Sequence, residues 1–131
     1  MTSTFKGLTP NMMVTNVNDT VDYYVKFLGF QKMMTMPEEG VLDWAMLVRD
    51  SVTIMLQSQK SIAEEYPELK ETAIGATLTF YFDIENLEEL FEELKNKVTV
   101  HKELHDMFYG RKEFVIEDCN GYFLVFSEGK D

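Results

Sequence analysis

Hydrophobic residues at helical spacing occur twice in this chain, each time between runs of alternating positions. Val21, Tyr24, Val25 and Leu28 fall at i, i+3, i+4 and i+7, and Gly29 supplies a stop. Leu87, Leu90, Phe91 and Leu94 repeat the spacing, with Asn86 as N-cap and Glu89 three residues later completing a capping box. Strand patterns cover residues 9–15, 31–36, 42–49 and 52–57 in the first half, and 77–83, 98–102, 112–117 and 122–127 in the second. Arg49-Asp50-Ser51 and Asp118-Cys119-Asn120-Gly121 carry hairpin-turn chemistry. One offset of 70 residues takes Thr9 to Thr79, Val17 to Leu87, Trp44 to Phe114 and Leu56 to Phe126 without a gap. The pattern predicts an α+β chain of two tandem βαβββ modules, residues 1–59 and 75–131. A polar, partly helical connector over residues 60–74, interrupted by Pro67, joins them.

Strand side chains alternate between faces, so each module has an apolar face and a mixed one. Met12, Val14, Ile54, Leu56, Leu78, Phe80, Phe82, Leu124 and Phe126 form the apolar set, which belongs under the helices. The other face holds Thr9, Asn11, Met13, Thr53, Met55 and Gln57, then Thr77, Thr79, Tyr81, Phe123, Val125 and Ser127. Simple pairing across the two hairpins adds Trp44 and Met46 from the first half and Phe114 and Ile116 from the second. Hydroxyls, amides, methionines and aromatics together suit a partly wet ligand cavity better than a sealed core. A solvent-exposed face or a subunit contact remains the other reading. Trp44, the single tryptophan, is either a core or contact aromatic or the stacking wall for a planar ligand.

Composition narrows the partners. The formal net charge of −11 opposes nucleic-acid phosphates and anionic lipid and attracts cations. Solubility alone also accounts for such a charge. No apolar run reaches membrane-spanning length, and the opening MTSTFKGLTP lacks the basic and apolar regions of a signal peptide. Cys119 is the single cysteine and forms no internal disulfide, which fits a cytoplasmic setting. As a nucleophile it is flanked by Glu117, Asp118 and Asn120, a poor setting for a thiolate. His101 and His105 are spaced i, i+4, but Lys102 stands where a zincin has its glutamate. Arg111 beside Tyr109 either binds an anion or pairs with one of the many carboxylates.

The repeated βαβββ unit resembles the vicinal oxygen chelate superfamily, which includes glyoxalase I, extradiol dioxygenases and bleomycin resistance proteins. The residues that carry the likeness are Asn16 through Tyr24 and Phe27-Leu28-Gly29-Phe30 in the first half. In the second half they are Tyr109-Gly110-Arg111-Lys112-Glu113-Phe114 and Glu117-Asp118-Cys119-Asn120-Gly121. Cys119 stands where the family's Asp-Pro-x-Gly turn has proline. The resemblance implies sheets that curl around a cavity, and a homodimer. It also implies that metal-using members place His, Gln or Glu ligands at the positions held here by Thr9, Met55, Thr79 and Val125. Threonine, valine and methionine are not ligands of that kind, so no metal or other cofactor is expected. A metal-free protein that sequesters a small molecule, such as a cationic drug, in a cavity or dimer cleft is the expected function, with no catalytic residue. The alternative is a metal-dependent lyase, isomerase or dioxygenase with ligands elsewhere.

Overall fold

The computed structural model describes residues 2–75 and 77–130. The chain divides into two compact units, Met1–Val25 with Gly29–Lys70 and Lys26–Leu28 with Glu71–Asp131. The first contains β1 (Asn11–Val14), all but the last residue of α1 (Val17–Lys26), β2 (Gln31–Met36), β3 (Trp44–Arg49) and β4 (Val52–Ser58). α2 (Gln59–Glu65) and a 3-10 turn (Pro67–Leu69) follow. The second contains β5 (Thr79–Asp83), α3 (Leu87–Leu94), β6 (Thr99–Asp106), β7 (Arg111–Glu117) and β8 (Phe123–Gly129). The sheets have the orders β1-β4-β3-β2 and β5-β8-β7-β6. In both, the outer strand before the helix pairs parallel with the last strand, and the remaining pairs are antiparallel. This is the tandem βαβββ architecture that the repeat predicts. No helix among the described residues is long and apolar enough to cross a membrane.

Local chemistry sets the helix ends. The Asn16 side chain accepts from the Asp19 amide at 2.9 Å at the start of α1. Gly29 follows that helix with φ at +69°, a conformation that favours glycine. α3 departs from the expected capping box. Asn86 is left-handed and makes no side-chain cap. The carboxylate of Glu128 on β8 instead accepts the Asn86 amide at 2.9 Å and the Leu87 amide at 3.1 Å. A carboxylate that takes two orphan amides also meets the positive end of the helix dipole, which a neutral amide cap does not.

The apolar faces are the cores, except at Leu78, which was expected among them but lies before β5 and is exposed. Met12, Val14, Ile54, Leu56, Ala45 and Leu47 are all buried in the first sheet, as are Val17, Val21 and Tyr24 of α1. In the second, a ring ladder runs from Phe82 to Phe126 (5.2 Å), to Phe114 (5.0 Å) and to Phe91 of α3 (5.1 Å). Each large side chain fully buried this way contributes roughly 1.5–3 kcal/mol.

Three expectations change. β1 begins at Asn11, because Pro10 has no amide to donate; its carbonyl takes the Met55 amide at 2.9 Å, and Thr9 lies exposed outside the strand. β6 extends to Asp106, beyond the expected 98–102, so His105 joins His101 as a strand residue. The third correction concerns Phe114 and Ile116. They pair with Phe126 and Leu124 and are fully buried on the helix face, away from Tyr81 and Val125. The cause is the turn. In the first unit Arg49 pairs with Val52 across a two-residue link, whereas Glu117 pairs with Phe123 across five residues. Asp118 organises that longer turn by accepting the Asn120 and Tyr122 amides at 2.8 and 2.9 Å. β5 and β8 keep the 70-residue offset, with Tyr81 and Val125 in the places of Asn11 and Met55. β7 is shifted by one residue, so Glu113, not Phe114, takes the place of Trp44.

Candidate functional site

That one-residue shift brings a carboxylate onto the second sheet's mixed face. Glu113 pairs with Ser127 on β8 and with His105 on β6. Glu113 is 4% exposed and Ser127 is fully buried. Three hydroxyls converge on one oxygen of Glu113, Oε2: Tyr109 at 2.8 Å, Ser127 at 2.8 Å and Tyr81 at 2.9 Å. None of the described residues hydrogen-bonds the other oxygen, Oε1. Tyr81 Oη also lies 2.8 Å from Ser127 Oγ. Arg111 donates from Nε to Ser127 Oγ at 2.7 Å and from Nη2 to Asp83 at 2.6 Å. Opposite it stands Gly129, where a Cβ would come within 2.9 Å of the guanidinium. Tyr109 belongs to the β6–β7 turn, closed by the Met107 amide on the Arg111 carbonyl at 2.7 Å.

Burial of the Glu113 carboxyl pushes its pKa up, but the hydrogen bonds from Tyr109, Ser127 and Tyr81, with the field of His105, outweigh burial and hold it below the ordinary 4.5. The same contact seen from Tyr109 pushes that phenol up to about 12, chiefly through its hydrogen bond to Glu113. Asp83 raises Arg111 above its already high value. At neutral pH, then, Glu113 is an anion with one saturated oxygen. Low basicity makes it a poor general base and a good fixed acceptor. Half-buried Val125 and Phe123 continue this face beyond the polar cluster, and the His101 ring lies 4.6 Å from that of Phe123. Tyr81 and Thr79 are exposed on it.

The first unit builds the corresponding face without charge. Asn11 donates to Gln57 at 2.7 Å, and Gln57 donates to Ser61 at 2.9 Å. Trp44 pairs with Gln57 and with Met36, and Met46 pairs with Met55 and Met34. Trp44, Met46 and Met55 are half-buried, while Met34 and Met36 are exposed. Unbranched thioethers beside an indole make an adaptable apolar surface.

Asn11, Trp44, Met46, Met55 and Gln57 thus share one face of their sheet, and Thr79, Tyr81 and Val125 share one face of theirs. Sequence reasoning placed Ser127 on this face but missed Glu113 beside it and Tyr109 as a partner of Glu113. The signal was present in Tyr109-Gly110-Arg111-Lys112-Glu113, but only the five-residue turn aims Glu113 at this face. The family's metal does not fit these residues. Val125 offers no donor, Thr79 offers a neutral hydroxyl, Met55 a soft thioether, and Thr9 lies outside the sheet. No group of three or more His, Cys, Asp or Glu side chains among the described residues is placed to hold a metal ion.

A family model described as the Glyoxalase/Bleomycin resistance protein/Dioxygenase superfamily matches residues 8–126. No curated protein matches the chain. Among solved structures, a glyoxalase/bleomycin resistance protein/dioxygenase from Nocardioides has a TM-score of 0.79 at 18% identity, covering 99% of this chain and 87% of its own. TioX from Micromonospora sp. ML1 has a TM-score of 0.77 at 18% identity, covering 96% and 100%. The bleomycin-binding protein from bleomycin-producing Streptomyces verticillus, complexed with copper(II)-bleomycin, has a TM-score of 0.67 at 19% identity, covering 98% and 100%. At these identities the likeness is one of fold.

Proposed function

The chain belongs to the glyoxalase/bleomycin resistance protein/dioxygenase superfamily, and from that premise we propose that it captures a small molecule without metal and without turning it over. The observation that carries the reading is the donor set. Where metal-using relatives are expected to place ligands, this chain has Thr9, Met55, Thr79 and Val125. The mixed faces support it, because Trp44, Met46, Met55, Tyr81 and Val125 provide stacking and adaptable apolar contact, and Asn11 and Gln57 provide polar anchors. The net charge of −11 favours a cationic ligand. Sequestration of a cationic drug by a cytoplasmic homodimer is the specific form of the proposal. The copper(II)-bleomycin complex of the similarly folded Streptomyces protein makes bleomycin the first ligand to try.

The test is a fluorescence titration of metal-stripped protein with cationic drugs, read at Trp44. Saturable quenching at about micromolar ligand or below is the expected result. No response from any drug in folded protein, or turnover that appears only when Zn²⁺ or Ni²⁺ is added, would overturn capture.

A further inference from the structure

We infer that Glu113 Oε1 anchors a protonated amine, amidinium or guanidinium group of the captured molecule, with the Tyr81 ring beside it as a wall. This rests on the capture reading and narrows it to an atom and a ligand group. A carboxylate has about four acceptor sites, yet all three hydroxyls approach Oε2. Oε1 is left with its acceptor capacity on the mixed face of the sheet. Glu113 forms no ion pair among the described residues. The neighbouring guanidinium of Arg111 is directed to Asp83 and Ser127 instead. The fold does not require a carboxylate here, since the first unit has Trp44 at the same register position. Burying an ion that only fills space is costly compared with an apolar replacement. His105 adds a favourable field to Glu113, and a cationic donor adds to it a direct ion pair and a hydrogen bond at Oε1. Tyr81, whose hydroxyl bonds the other oxygen, is 55% exposed; the Arg111 guanidinium lies 5.9 Å from its ring centroid, and the rest of the exposed ring borders the site.

The experiment compares benzamidinium with benzamide, a near-isostere without the charge, on isotope-labelled protein. The Glu113 carboxyl carbon is followed by NMR. Benzamidinium is expected to move that resonance and to bind about tenfold tighter than benzamide. In Glu113→Gln, which keeps the shape, the preference should fall below about twofold with an unchanged circular dichroism spectrum. Glu93→Gln removes an equal charge from α3, on the other side of the sheet, and should leave the preference intact. Equal binding of both probes, a preference that survives Glu113→Gln, an equal loss in Glu93→Gln, or no response at Glu113 would each overturn the anchor. Trp44 quenching by bleomycin, measured separately, reports on capture itself. Quenching without a benzamidinium preference leaves capture standing and removes the anchor; absence of both removes both.

Discussion

In the first unit Trp44 sits opposite Gln57; in the second, Glu113 sits opposite Ser127. The sheets share strand order, strand direction and the parallel pairing of outer with last strand. Their mixed faces nevertheless differ in kind. One is an indole, an amide network and a row of methionines; the other is an anion caged by hydroxyls. A five-residue turn in place of a two-residue link moved β7 by one position, and in a strand one position exchanges the faces. The same move carried Phe114 into the core, where it bridges Phe91 and Phe126. Topology therefore fixes where a face lies, and turn length decides which residues occupy it.

The comparison is broken most severely at Phe114. Phe114→Ala should cost about 3–5 kcal/mol in urea unfolding, because it opens the ring ladder. Trp44→Ala, half-exposed at the nominally equivalent position, should cost less than about 2 kcal/mol. Equal costs would mean that the two positions are equivalent after all. Next in size is Ser127→Ala. It removes a buried hydroxyl that donates to Glu113 and accepts from Arg111, and a loss of about 1–3 kcal/mol is expected by thermal unfolding.

Acid sharpens the comparison further. A carboxyl whose folded pKa lies below its unfolded value stabilises the fold above that unfolded value. The contribution is lost as pH falls through the folded pKa, here below 4.5. Stability measured from pH 6 to pH 3 should therefore fall less steeply in Glu113→Gln than in the parent chain. Gln57→Ala, in the uncharged face, should leave the steepness unchanged. The smallest effect is that of Tyr109→Phe, at an exposed turn residue. It removes one of three donors to Oε2, so the acid limb should shift upward towards pH 4.5 while stability at pH 7 changes little.

Much of this architecture was legible in the chain. The helical stripes of Val21-Tyr24-Leu28 and Leu87-Leu90-Leu94, the strands and the 70-residue offset follow from periodicity, which burial of one face enforces. The face shared by Asn11, Met55, Gln57, Trp44 and Met46 was legible too, because a two-residue link gives β3 and β4 an unambiguous register. Phe114 and Glu113 were not. Asp118-Cys119-Asn120-Gly121 admits either register, and the choice depends on the Asp118 side chain holding both the Asn120 and Tyr122 amides. The α3 cap was equally hidden, since Glu128 lies 42 residues from Asn86 in sequence. Contacts that depend on register between distant strands are not written in local pattern.

The most direct test of the difference between the two faces is an NMR pH titration of the Glu113 carboxyl carbon. The account predicts a midpoint below 4.5, moving up in Ser127→Ala as a donor is lost. A midpoint at or above 4.5, unmoved by Ser127→Ala, would mean that the hydroxyls do not hold Glu113 as an anion, and the contrast between the faces would fail.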